Sequence, residues 1–451
     1  MRLLFTSALL AGCAAARPAP TPLPSDRSAL AERVRAEFLF AWNAYQAHAK
    51  GHDELKPLSN SGHDWHAGAT LLVTPVDSLD SLLLLGFKEE AERARDSIVA
   101  SLSFDRDIEV KNFEITIRLL GGLLSAYQLM RDSRLLGLAD DLGQRLLPAF
   151  ESRTGMPYMF VNLKTGKTRG VESNPAEIGT LLLEFGTLAK LTGKAVYYDR
   201  AKNALVQLFD RRSRIGLVGE TINVDTGEWT SKASHIGGGI DSYYEYLLKA
   251  WLLFGDEDCH RMWRESVEAV NKYLADETEA GLWYGVVDME TGRRTATEYG
   301  ALQAFFPAVL VLDGDSGRAR RLEDSSFRMW TLFGAEPDQF DYKAMKPGNH
   351  AGYALRPEII ESAYYLYHAT GESRYLEMGR TFLRDLIAHC RTDGGYTILE
   401  SVVTKEQGDK MPSYFLAETL KYLYLIFAPP ETLDLREVVF NTEAHPLRRT
   451  W

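Results

Sequence analysis

An all-α fold, a closed ring of helical hairpins, is what this sequence predicts. Apolar residues recur at three- and four-residue spacing from about Leu30 onward, the pattern of helices that bury one face. The stretch "TLLLEFGTLAKLTGKAVYYDRAKNALVQLFDRR" has a cousin in "ESAYYLYHATGESRYLEMGRTFLRDLIAHC": each reads as an apolar helix, a turn at Gly, an aromatic and a second helix. Weaker copies turn near Gly86, Asp132, Gly255 and Gly314, so hairpins recur about every 45 to 62 residues, as repeated helix pairs do. Six or seven pairs fit the length. Each pair buries its face on the next, which explains a single domain larger than usual.

The chain opens with Arg2 and the apolar run "LLFTSALLAGC", too short to span a bilayer as a mature helix and shaped like an export signal over residues 1–12. The ending "LAGC" resembles the bacterial lipobox, which implies acylation of Cys13 and a protein held in the periplasm or at the cell surface, at the outer membrane, by that lipid alone. Ordinary cleavage near "CAAA" is the alternative. Residues 13–29, rich in Pro and Ala, read as an extended tether, and residues 30–451 as the single domain built from the helix pairs. Cys259 and Cys390 are the only further cysteines, so this is neither a disulfide scaffold nor a zinc site. A net charge of −11 without a basic block excludes nucleic acid as partner and favours a neutral or cationic ligand. A monomer is expected.

Between the helix pairs lie Gly- and Thr-rich segments, "NLKTGKTRG", "NVDTGEWTSKASHIGGG" and "DMETGRRTATEYG", which read as small β-hairpins. The helices lining the ring should be apolar, with a few polar residues at their ends facing a cavity.

Several acids sit in apolar company. Glu114, in "NFEITIRLLGGLLSAY", is flanked by Phe113 and Ile115, with Arg118 one turn on. An exposed Glu–Arg pair and a buried functional carboxyl both fit. Asp241 follows three glycines and precedes Ser242 and Glu245, spaced as a capping box. In "LRPEIIESAYYLYHATG", Pro357 suits a first helical position, and Glu358 and Glu361 complement the positive helix end. Helix dipole and Arg356 should depress the Glu358 pKa and suit it to act as a base, whereas Glu114 in greasier surroundings suits a proton donor. Carboxyls pushed apart in pKa point to glycoside hydrolysis. Glu418 is a lone acid in "FLAETLKYLYLIFAPP", with Tyr414 one turn earlier, able to stack on a sugar and accept its hydroxyls.

The ordered series "GHDELKPLS", "VDSLDSLLLLG", "FEITIRLLGGLLSAY", "GIDSYYEYLLKAW", "LRPEIIESAYYLY", "DKMPSYFLAETLKYLYLIF" and "FNTEAHPL" resembles the class I α-mannosidases, glycoside hydrolase family 47, from Gly51 to Leu447. "LQAFFPAVLVLDGD" leans toward the ER-degradation-enhancing branch, while the lipobox points to a bacterial member. The resemblance implies an (α/α)7 barrel, a calcium ion (Ca2+) at its floor and inverting hydrolysis of α-1,2-linked mannose, with a mannose oligosaccharide as partner. It assigns Glu114 as acid, Asp241 as rival or partner in proton delivery and Glu358 as base. It puts Arg118 on the neighbouring sugar and Arg356, Glu361, Tyr414 and Glu418 around the cleaved mannose, with Glu177, from "NPAEIG", a weaker match to a substrate-binding residue. Thr442 matches the residue offering calcium its backbone and side-chain oxygens. Gly239 stands where processing enzymes of the family carry Arg, Ala301 where a substrate-facing His sits, Ala304 for a disulfide Cys and Pro412 for an acid, which leaves branch specificity open. Two other readings compete: a surface-anchored mannose-glycan receptor with little turnover, and another toroidal helix-pair enzyme such as a sugar epimerase.

Overall fold

Why the helices divide into two kinds is visible in their side chains. In the computed structural model, which describes residues 23–24 and 26–449, fourteen helical segments run in order. They are α1 Arg27–His48, α2 Val73–Leu84, α3 Lys88–Ser101, α4 (Asn112–Ile115, Thr116–Leu120 and Gly121–Met130), α5 Ser133–Leu146, α6 (Pro175–Gly179 and Leu182–Thr192) and α7 Ala195–Phe209. There follow α8 Asp241–Phe254, α9 Glu257–Tyr273, α10 (Leu302–Phe305 and Phe306–Leu312), α11 Ser316–Phe333, α12 Glu358–Thr370, α13 Arg374–His389 and α14 (Phe415–Thr419 and Leu420–Phe427).

Even-numbered helices form the inner ring and are buried nearly all round: ten successive residues of α2, Val73 to Leu82, are inaccessible. Odd-numbered helices bury a stripe, as α9 does with Cys259, Met262, Trp263, Ser266 and Val270, because their other face meets water. Each inner helix packs on the outer helix next to it in sequence, and α14 closes the ring on α1. This is an (α/α)7 barrel. Gly193 and Gly371, at φ 74° and 69°, end the inner helices of the two matching repeats in the left-handed conformation that a side chain disfavours.

The closure begins earlier than the tether was expected to end. Asp26 accepts from Ala29 N at 3.0 Å, starting α1 at Arg27, and the Arg27 guanidinium donates to Phe427 O and Ala428 O at 3.0 and 2.6 Å. Residues 27–29 therefore belong to the barrel; a helix cap and a cross-ring contact outweigh local composition. Cys13 and the export segment lie outside the described residues. Cys259 and Cys390 are buried free thiols, and no described helix is long and apolar enough to cross a membrane.

The expected hairpins form where the Gly/Thr segments lie, for example Phe160–Asn162 against Thr168–Arg169. One further hairpin, Val438–Phe440 with Pro446–Arg448, is inserted into the ring. Its tip touches six of the seven inner helices: His445 meets Asp80 of α2, Asn441 the Ile117 carbonyl of α4 and Glu184 of α6, and Thr442 N the Tyr246 hydroxyl of α8. Phe440 packs on Tyr364 of α12, and Lys421 of α14 donates to Ala444 O. Gly121 and Gly122 make room for it: a Cβ on Gly121 would lie 2.6 Å from Asn441 Nδ2.

Candidate active site

Because every hairpin turns the same way, the N-termini of the inner helices share one face of the ring, and their positive ends favour carboxylates there. Glu114 lies in the first turn of α4, Glu177 in that of α6, Asp241 opens α8, Glu358 opens α12 and Tyr414 immediately precedes α14. With Arg118, Arg356, Glu361, Glu418 and Thr442 they line one cavity of about 280 Å³, floored by the inserted hairpin. All ten residues singled out in the body of the chain thus meet in one place. Eight carboxyl groups face three cations, Lys111, Arg118 and Arg356.

Two inner helices widen at the cavity. Thr116–Leu120 and Phe415–Thr419 are π-helical turns, a local cost that recurs at functional sites; one carries Arg118 and the other Glu418. Regular α-periodicity predicts neither. Arg118 donates through Nε to Glu114 Oε2 at 3.0 Å, through Nη1 to Glu443, and lies 3.7 Å from Asp77.

Leu355, buried at φ 60°, is held in a conformation costing about 1–3 kcal/mol by hydrogen bonds on both sides. Tyr414 OH donates to Ala354 O and Thr419 Oγ1 to Leu355 O, each at 2.7 Å. The kink aims Arg356 and Glu358 inward. Arg356 Nε donates to Asp338 at 2.9 Å, and Nη1 lies 3.9 Å from Glu358 Oε1.

The expected ordering of the carboxyls is corrected here. Burial pushes Glu358 up to about 7 even though Arg356 pulls it down, and its Oε2 has no protein partner; desolvation outweighs helix dipole and cation. Glu114 does not occupy the greasier position: its side chain is 29% exposed and sits on the Arg118 guanidinium. Burial raises Asp241 to about 6, opposed by Ser242 N and Oγ, which donate to Oδ1 at 2.7 and 3.1 Å. Burial also raises Glu177 to about 7 against Lys111, 2.6 Å away.

The capping box at Ser242 and Glu245 does not form. Glu245 instead accepts from buried Lys249 at 2.5 Å, and Lys249 lies 3.7 Å from Glu361, so an ammonium sits behind two cavity acids. The glycines before Asp241 serve close approach: a Cβ on Gly237 would be 2.6 Å from Gln303 and one on Gly238 2.9 Å from Leu302. Sequence reasoning missed Lys111, Lys249 and Glu443 as parts of the site. Glu443 stands inside the quoted "FNTEAHPL", but only insertion of the hairpin makes it a partner of Arg118; Lys111 and Lys249 carry no periodic signal.

The sequence profile of glycosyl hydrolase family 47 matches residues 37–449. The chain belongs to that family, the class I α-mannosidases. This family 47 chain is 40% identical over 448 residues to alpha-mannosidase I MNS5 of Arabidopsis thaliana, covering 92% of this chain and 76% of the relative. It is 36% identical to human ER degradation-enhancing alpha-mannosidase-like protein 2, over 95% and 79% of the two chains. An alpha-1,2-mannosidase from Trichoderma reesei superposes with a TM-score of 0.87 at 27% identity, over 94% of this chain and all of the other. The protein is a glycoside hydrolase.

The raised carboxyls make a family 47 barrel of this build pH-sensitive. Glu358, Glu177 and Asp241 hold protons in the folded state at pH values where the unfolded chain has lost them, so stability falls as pH rises from about 4.5 to about 7. His445 adds the same sign: against the downward pull of burial, Asp80 and Asp77 hold it at about 9, and its contribution is lost as pH rises from about 6.5 through 9. In chelator, the protein is expected to melt at a higher temperature at pH 5 than at pH 7.5. A flat or opposite slope by calorimetry would contradict the burial of these groups.

Proposed function

We infer that this hydrolase is a calcium-dependent, inverting exo-α-1,2-mannosidase that trims mannose from α-mannan or high-mannose glycans. What supports this most is that every residue to which the family resemblance gives a role lines one cavity, and that the inserted hairpin closes its floor, so only a chain end enters.

Glu358 takes a proton from the attacking water. Its carboxyl near 7 is matched to that exchange around neutrality. Asp241, near 6 and recessed, and Glu114, partly exposed beside Arg118, are the two groups able to protonate the leaving oxygen. Arg356 neutralises charge next to Glu358, while Glu361, Glu418 and Tyr414 hold the departing mannose, and Arg118 and Glu177 its neighbour.

Among the described residues no cluster of His, Cys, Asp or Glu has the form of a metal site. A cation would be held by oxygens of Thr442, and hard oxygen donors under an acid-rich cavity suit calcium. Bound there, it would supply charge and an anchor for sugar hydroxyls.

Release of mannose from α-1,2-mannobiose is expected, abolished by EDTA and restored by calcium, with β-mannose as first product by proton NMR. Tight, EDTA-sensitive glycan binding without released sugar would favour the receptor reading instead. The enzyme is proposed to act as a monomer outside the cytoplasm, lipid-anchored at Cys13. Mass spectrometry of the mature N-terminus is expected to find an acylated Cys13; an unmodified N-terminus further along the chain would discard the anchor.

A further inference from the structure

Trp65 has no part in the chemistry above, yet the chain fixes it at the edge of the site. It lies in the loop that joins the hairpin Glu54–Lys56/Ser61–His63 to α2. That loop is wound on one buried carboxylate: Asp53, 0% exposed, accepts from Trp65 N at 3.0 Å, Thr70 Oγ1 at 3.0 Å and Leu71 N at 2.7 Å. The same hairpin is tied to the segment that delivers Tyr414, since Met411 N donates to Leu55 O at 2.9 Å. The indole therefore comes to rest on Arg118, whose guanidinium carbon lies 5.7 Å from the Trp65 ring centroid and 5.4 Å from that of Tyr414.

Arg118 does not need the indole for its placement, because Glu114, Glu443 and Asp77 already hold it. Trp65 is half-buried, with its ring packed against the core and part of that large flat surface left open, and its backbone N–H is held by Asp53. A pyranose has an apolar C–H face whose partial positive charge suits the π-face of such a ring.

We propose that Trp65 is an outer sugar subsite, a stacking platform for a hexose beyond the two that flank the cleaved bond. This rests on the mannosidase reading and extends it to substrate length: the enzyme would favour chains of three or more mannoses over the disaccharide.

The test compares α-1,2-mannobiose with linear α-1,2-mannotetraose. Trp65→Ala is expected to raise KM for the tetrasaccharide roughly fivefold to tenfold with little change in kcat, to raise it for the disaccharide less than about twofold, and to be largely rescued by Trp65→Tyr. The backbone bond to Asp53 survives either substitution, and a melting curve of each variant checks that the fold is retained. Equal rises for both saccharides would make Trp65 a prop for Arg118, and no rise for either would leave it without a role; each overturns the subsite. Calorimetric binding of both saccharides to Glu358→Gln and to Glu358→Gln/Trp65→Ala reads the same difference without turnover. Failure of the unsubstituted enzyme to release mannose would sink the mannosidase reading, while the binding comparison still decides the subsite.

Discussion

Glu358→Gln lowers kcat by about 10³-fold, within the range of roughly 10²–10⁴ that general acid–base groups contribute, and leaves KM within a few-fold. Gln keeps the shape and the place of the side chain but cannot take a proton from water. The fold survives, because the substitution removes a carboxyl whose charged form burial already disfavours; in chelator above about pH 7 the variant is expected to melt higher than the parent. Single-turnover release from mannobiose and a melting curve test the two halves separately. Near-normal turnover would remove Glu358 as the base, and collapse of the fold would show that the carboxyl is structural.

Lys421→Met should cost about 3–5 kcal/mol, the usual penalty for leaving a buried charge without its partner. Lys421 is 0% exposed; its ammonium lies 2.7 Å from Asp80 and donates to Ala444 O at 2.6 Å. Despite burial, Lys421 and His445 together hold Asp80 down at about 2, so loss of the lysine removes the larger of the two charges that offset the desolvation of this carboxylate. Ala444 is itself at φ 57°, and loss of its carbonyl bond loosens the hairpin that carries Thr442. A fall in the urea midpoint together with a higher calcium requirement is the expected result, and Asp80→Asn in the same chain should recover part of the stability. Undiminished stability of the Lys421→Met variant would show that the floor is held elsewhere.

Both expectations depend on features of unequal visibility in the sequence. The hairpin repeat is legible because burial of one face imposes a period of about 3.6 residues, and the Gly turns at Gly193 and Gly371 mark where it reverses. The acids were legible for a related reason: Glu114, Asp241, Glu358 and Glu418 interrupt apolar helices, and charge in such company is seldom tolerated without a role. The pKa ordering was not legible, because it follows from which carboxyl is recessed and which meets a guanidinium. Nor were the π-turns at Arg118 and Glu418, which keep a helical composition while changing the hydrogen-bond register.

The sequence by itself determined the repeat and order of the helix pairs, though not whether they number six or seven, together with the small hairpins between them and the residue types the site would use, since these follow from local periodicity and from polar groups set in apolar runs. Only the tertiary structure decided which groups meet. Insertion of the hairpin at 438–448 brings Thr442 and Glu443 beneath acids drawn from up to about 330 residues away, the ring sets how deeply each carboxyl is buried, and a loop wound on Asp53 brings Trp65 to Arg118. Burial and ion pairing act through space and depend on every element that packs around a group, so no local stretch of chain carries them.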